Sequence, residues 1–89
     1  MPMRSKSPIV TRGKVPPVHP GRLLRRELQV RGLSANRISL DLGVPSGRII
    51  DILNGRRAIT ADTAVRLGRY FGNSAQFWLD LQSQYDIAG

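Results

Sequence analysis

The chain has 89 residues, 14 lysines and arginines against six acidic residues, and a formal net charge of +8. This length allows one domain, and the absence of cysteine excludes a disulfide framework and a Cys/His zinc site. Apolar runs of only three or four residues exclude a transmembrane helix, and the basic N-terminus lacks the apolar core of a signal peptide. We therefore predict a cytoplasmic protein, and its positive charge predicts a polyanionic partner.

Residues 1–18 differ in composition from the rest of the chain. Four of the six prolines lie there, together with four basic residues and no acidic one. Such a segment carries too little apolar surface to offset the entropy of folding. We predict a flexible basic arm over residues 1–18, followed by one domain over residues 19–89.

The first predicted helix runs from about Pro20 to Arg31. Proline suits a first helical position because its missing N–H group is not needed there. Leu24 and Leu28 lie one turn apart and should face the core, and Gly32 is a typical residue at which a helix stops.

Two short helices follow, separated by a tight turn. Ser34 is a suitable N-cap for a helix that ends before Gly43, and Pro45 should open the next helix, which ends near Asn54. Gly43 supplies the left-handed backbone conformation that such a turn needs. The residues predicted to point inward are Ile38, Leu42, Ile49, Ile52 and Leu53.

The last two predicted helices begin at Thr60 and Ser74, which are both suitable N-caps. The fifth helix spans about residues 74–86. The fourth helix should bury four residues at helical spacing, which are Ala64, Leu67, Gly68 and Phe71. No strand pattern occurs in the sequence. The fold class predicted is therefore all-α, with five helices and a basic N-terminal arm.

Residues 34–54 have the organisation of a helix-turn-helix, in which the second helix stands out from the first and enters the major groove of DNA. Arg48, at the start of that second helix, suits guanine or phosphate, and Arg56 and Arg57 should meet the DNA backbone. The residues predicted to contact DNA are Ser34, Asn36, Arg37, Ser46, Gly47, Arg48, Asp51, Asn54, Arg56 and Arg57. The same spacing is also compatible with a plain αα-corner whose arginines only solvate the surface.

The run LSANRISLDLGVPSGRIIDILNGRRAIT resembles the XRE-type helix-turn-helix of phage repressors. The wider frame, HPGRLLRRELQVRGLS and then NGRRAITADTAVRLGRYFGNSAQFWLDLQSQYD, resembles the HigA-type antitoxins over about residues 19–86. This resemblance implies a compact domain of the lambda-repressor type. It further implies a homodimeric repressor that binds double-stranded operator DNA of its own operon and neutralises a HigB-like, mRNA-cleaving toxin.

The fifth predicted helix has more apolar positions than one core-facing stripe requires. One interpretation is a well-buried last helix with Trp78 in the core. The other is that one face seals the core while the opposite face forms a two-fold interface, and the resemblance also implies dimerisation near this end. The residues predicted for the dimer interface are Phe77, Trp78, Leu81 and Tyr85.

No catalytic or metal site is predicted, because His19 is the only histidine and no acid or cysteine is placed to pair with it. We expect no enzyme activity, no cofactor, no small-molecule substrate and no membrane partner. The favoured function is an autoregulatory antitoxin. Two alternatives stay open: a stand-alone XRE-type repressor without a toxin, and a basic adaptor that binds protein or RNA.

Overall fold

The computed structural model describes residues 18–88, and within that range it contains five α-helices and no strand. They are α1 (Pro20–Arg31), α2 (Ala35–Leu42), α3 (Ser46–Leu53), α4 (Ala61–Phe71) and α5 (Ala75–Ala88). The predicted all-α fold with five helices is confirmed. The predicted arm, except for Val18, lies outside the described residues.

Side-chain caps fix where most of these helices begin. The Ser34 hydroxyl accepts the backbone N–H of Arg37 at 3.0 Å, and the Thr60 and Ser74 hydroxyls cap α4 and α5 in the same manner. His19 caps α1, since its Nδ1 accepts the N–H of Gly21 at 2.9 Å. Pro45 was predicted to be the first residue of α3, but its backbone is extended and it precedes the helix.

Two glycines allow the helices to approach one another closely. A Cβ atom on Gly21 would overlap the carbonyl oxygen of Ile52, so α1 crosses directly over the end of α3. A Cβ atom on Gly68 would lie 2.8 Å from the carbonyl carbon of Ser74, so α4 meets the start of α5 backbone to backbone. The first contact holds the short α3 against α1, and the second holds α4 against α5.

The core is a single apolar cluster to which all five helices contribute. Each large buried side chain contributes roughly 1.5–3 kcal/mol relative to an exposed one. The buried apolar residues are Leu24, Leu28, Ile38, Leu42, Val44, Ile49, Ile52, Ile59, Ala64, Leu67 and Trp78. Most of the residues predicted to point inward are therefore confirmed, with Leu53 and Phe71 only partly buried at the edge of the cluster.

A buried polar residue, Gln82, joins α5 to the loop between α3 and α4. Its side-chain oxygen accepts the backbone N–H of Ile59 at 2.9 Å, and its amide nitrogen donates to Asp86 at 2.9 Å. Sequence periodicity did not indicate this role, because glutamine is a typical surface residue of helices.

Candidate nucleic-acid interface

The turn between α2 and α3 is tight and closed by backbone hydrogen bonds. Gly43 has a φ of 74°, in the left-handed region, and its N–H donates to the carbonyl oxygen of Ser39 at 2.9 Å. The N–H of Val44 donates to the same carbonyl at 3.0 Å, and the Val44 side chain is buried. Together these contacts brace α3 across α2, as a DNA-reading helix-turn-helix requires.

The outer face of α3 is open to solvent. Ile49 and Ile52 point into the core, so Gly47 and Asp51, about one turn apart, lie on the opposite face. A Cβ atom on Gly47 would meet nothing within 4 Å. Pro45 provides no side-chain cap, so the first amides of α3 are left without a side-chain acceptor.

Arg48, which the sequence predicts to contact DNA from the start of α3, is held by an ion pair on the side of that helix. Its side chain is 32% exposed and turns towards α4, where its Nη1 lies 3.4 Å from Oδ2 of Asp62. Arg48 and Asp62 line a small cleft together with Arg57 and Thr60. This position places the Arg48 guanidinium beside α3 instead of in front of it.

The loop after α3 carries two exposed arginines, as predicted. Arg57 has its Nη2 4.0 Å from Oδ2 of Asp51, a loose ion pair. The backbone N–H of Arg56 donates to the carbonyl of Asp51 at 2.8 Å, while its side chain has no ion pair with the acids of residues 18–88. Both guanidinium groups are therefore accessible next to the outer face of α3.

The start of α2 lies at the other end of the helix-turn-helix. Asn36 and Arg37 are exposed, whereas the Ser34 hydroxyl is already engaged as the N-cap. Arg37 forms an ion pair with Asp41 at 3.3 Å, one turn along the helix. Asp41 also accepts the hydroxyl of Tyr70 at 2.8 Å, and this hydrogen bond raises the pKa of Tyr70 above its ordinary value.

Asn54 has an intramolecular partner that the sequence did not reveal. Its side-chain oxygen accepts from Nη2 of Arg25 at 3.3 Å, and the same nitrogen lies 3.4 Å from the carbonyl of Leu53. Arg25 thus ties α1 to the C-terminal end of α3, where free carbonyl groups favour a cation.

The predicted dimer surface on α5 is reduced by one residue. Trp78 has no exposed surface and its indole nitrogen donates to Asn73 at 2.9 Å, so it belongs to the core and is not available to another subunit. Phe77 and Tyr85 are exposed at 40% and 38%, and Leu81 is half-buried between them. These three residues are spaced four apart and form one apolar stripe along α5.

Residues 18–88 contain no group of three or more side chains that could hold a metal ion. In the same range, no helix combines the length and apolar character needed to cross a membrane.

No protein-family model matches the chain. Virulence-associated protein I of Dichelobacter nodosus is 48% identical over 77 residues, which cover 85% of this chain and 71% of that protein. An addiction-module antidote protein of the HigA family from Coxiella burnetii superposes with a TM-score of 0.80 and 48% identity, covering 83% of this chain and 82% of that one. The chain belongs to the HigA family of antitoxins. Another HigA protein, the Pseudomonas aeruginosa antitoxin solved with the higBA promoter, has a TM-score of 0.79 and 46% identity, covering 81% of this chain and 79% of that one.

Proposed function

We propose that this HigA-family protein is a sequence-specific DNA-binding antitoxin that represses its own toxin–antitoxin operon. In this proposal it also neutralises a HigB-like, mRNA-cleaving toxin. The observation that carries the DNA-binding part is the open outer face of α3, braced by a tight turn and flanked by Arg48, Arg56 and Arg57. The antitoxin part rests on the family, which includes the addiction-module antidote protein of 48% identity. A relative of 46% identity, solved with the higBA promoter, supports the DNA-binding part.

In the proposed complex, α3 enters the major groove with its N-terminal end first. Ser46 then offers a hydroxyl that can donate to or accept from a base edge, and Asp51 offers a carboxylate that can accept from a cytosine amino group. Gly47 has no side chain, so the backbone of α3 can approach the floor of the groove closely. Few hydrogen-bond donors lie on this face of α3. Specificity therefore depends on how the phosphate contacts place the helix in the groove.

The arginines beside α3 supply the contacts that position the protein. We assign Arg48 to a phosphate and not to guanine, because its guanidinium lies against α4 at the edge of the outer face. Arg56 and Arg57 would bind phosphates on the same side, and the exposed start of α2 would meet the neighbouring strand through Asn36 and Arg37. Phosphate contacts of this kind set orientation and affinity, whereas α3 sets sequence.

The homodimer is the remaining part of the proposal. The stripe of Phe77, Leu81 and Tyr85 on α5 would pair with its copy in a second subunit, because a two-fold contact uses the same patch on both chains. Two subunits would then read an inverted repeat and bury more surface than one small domain can.

The decisive experiment is DNase footprinting on the region upstream of the protein's own gene, combined with co-expression of the adjacent reading frame. A footprint over an inverted repeat that is absent on a scrambled sequence is the expected result. Recovery of the neighbouring product in a complex, with relief of its toxicity, is expected for an antitoxin. A footprint without such a partner would instead identify a stand-alone repressor, and the absence of any sequence-specific footprint would identify an adaptor for protein or RNA.

A further inference from the structure

Asp62 is the common partner of two arginines from different helices. Its carboxylate lies 3.4 Å from Nη1 of Arg48 in α3 and 3.2 Å from Nε of Arg66, one turn along α4. Arg66 in turn donates from Nη1 to the carbonyl of Leu42, the last residue of α2, at 2.7 Å. One carboxylate in α4 is therefore connected to both helices of the helix-turn-helix.

This carboxylate stands on the surface that the proposed function assigns to DNA. Asp62 has a side chain 59% exposed and shares a cleft with Arg48 and Arg57. A phosphate that binds Arg48 must therefore compete with Asp62 for the guanidinium, and it brings a second negative charge close to the carboxylate. Both effects oppose phosphate binding whatever the DNA sequence is.

We infer that Asp62 determines specificity by acting as the internal counter-ion of Arg48. The inference rests on the proposed function, which it deepens. On random DNA the protein is held by phosphate attraction alone, so the partial neutralisation of Arg48 directly weakens that binding. On the operator, α3 is bound in the major groove. The Asp62 carboxylate then holds the Arg48 guanidinium in one position, and this restraint lowers the entropy lost when the phosphate contact forms.

The variant Asp62→Asn tests this inference because it removes the charge of the side chain and preserves its shape. Its binding is measured both on random-sequence duplex and on the operator. Binding to random-sequence duplex should tighten about 2–5-fold, the range expected for release of one exposed ion pair. Its salt dependence should steepen by about one unit, since one more arginine then engages phosphate. Operator affinity should change by less, so the ratio of specific to random binding should fall.

Two controls test whether Arg48 carries the effect. The first control is Glu27→Gln, which removes one negative charge from the ion pair between Glu27 and Arg31 in α1. It should leave the ratio of operator binding to random binding at the wild-type value. In a protein that already carries Arg48→Ala, adding Asp62→Asn should no longer tighten binding to random DNA. If the tighter binding persists without Arg48, the carboxylate acts through Arg66 or through net charge, and the inference is wrong.

Folding and the proposed function are checked in the same series. Asp62 lies in the first turn of α4, where a negative charge favours the helix, so Asp62→Glu is included to retain the charge and should bind as the wild type does. Circular dichroism establishes that each variant is helical. A wild type that gives no operator footprint refutes the proposed function, whereas a wild-type footprint with unchanged random binding in Asp62→Asn refutes only the role of Asp62.

Discussion

The side-chain oxygen of Gln82 in α5 accepts the backbone N–H of Ile59 at 2.9 Å, inside the protein and 23 residues away along the chain. This hydrogen bond fixes the loop that leaves α3, on which Arg56 and Arg57 lie. A glutamine in the buried row of a helix is thus a structural residue that positions the proposed DNA-binding surface.

We expect Gln82→Leu to lower the free energy of unfolding by about 1–3 kcal/mol, because the buried N–H of Ile59 would lose its acceptor. Gln82→Glu retains an acceptor oxygen but sets a buried carboxylate against Asp86, so it should also be destabilised at neutral pH. Thermal unfolding measures both, with the exposed Gln84→Leu as the matched control. Equal stability of the wild type and Gln82→Leu would show that the hydrogen bond contributes nothing.

The difference between Gln82 and the capping residues shows what the sequence could predict. Ser34, Thr60 and Gly43 were predicted correctly because each acts on backbone groups only a few residues away. Gln82 acts on a residue in another part of the chain, and nothing in local periodicity distinguishes it from a solvated glutamine.

The proposed interface shows the same limit. The helix-turn-helix itself follows from spacing, and its position at residues 34–54 agrees with α2, the turn and α3. The pairing of Arg48 with Asp62 does not follow from spacing, because it joins residues 14 apart on different helices. The surplus of apolar residues in α5 predicts an interface that includes Trp78, but this large side chain is fully buried and fills the core.

Arginines that bind phosphate should differ measurably from those that read bases. Arg56→Ala and Arg57→Ala should each weaken binding to operator and random DNA alike, and each should lower the salt slope by roughly one unit. Arg48→Ala should do the same on the operator but have a smaller effect on random DNA, because Asp62 partly neutralises Arg48 there. Fluorescence anisotropy at several salt concentrations measures both quantities. If Arg48→Ala instead relaxes the preference at one base pair by about 1–3 kcal/mol with an unchanged slope, Arg48 reads a base.

The contact between Tyr70 and Asp41 predicts a pH dependence. Its hydrogen bond to the carboxylate raises the pKa of Tyr70 above 10.0, since the carboxylate favours the neutral hydroxyl. The stabilisation by this contact is therefore present below the unfolded-state pKa and is lost as the pH rises through the folded-state pKa.

A tyrosinate absorbance titration checks the shift, with Tyr70→Phe subtracted to isolate this residue. Asp41→Asn should move the pKa of Tyr70 back towards its ordinary value, because the charged acceptor is removed. A Tyr70 titration that is the same in the wild type and in Asp41→Asn would contradict the assignment.

The stripe on α5 should hold two subunits together. Phe77 is 40% exposed and packs edge-on against Trp78, with ring centroids 5.4 Å apart, so its inner edge supports the core while its outer edge is available to a partner. Phe77→Glu should convert a dimer to a monomer, since pairing would bury a carboxylate opposite its own copy. Ile87→Glu is the matched control, because Ile87 lies on the same helix, off the stripe, and is 82% exposed.

Sedimentation velocity across micromolar concentrations measures the association, and helical circular dichroism establishes that both variants fold. The wild type and Ile87→Glu should sediment as dimers, and Phe77→Glu as a monomer with weakened operator binding. The dimer should protect two half-sites on one face of the duplex, about 34–36 Å apart or a multiple of that distance. A wild type that stays monomeric at the highest concentration, without DNA, would show that the stripe is only the outer edge of the core.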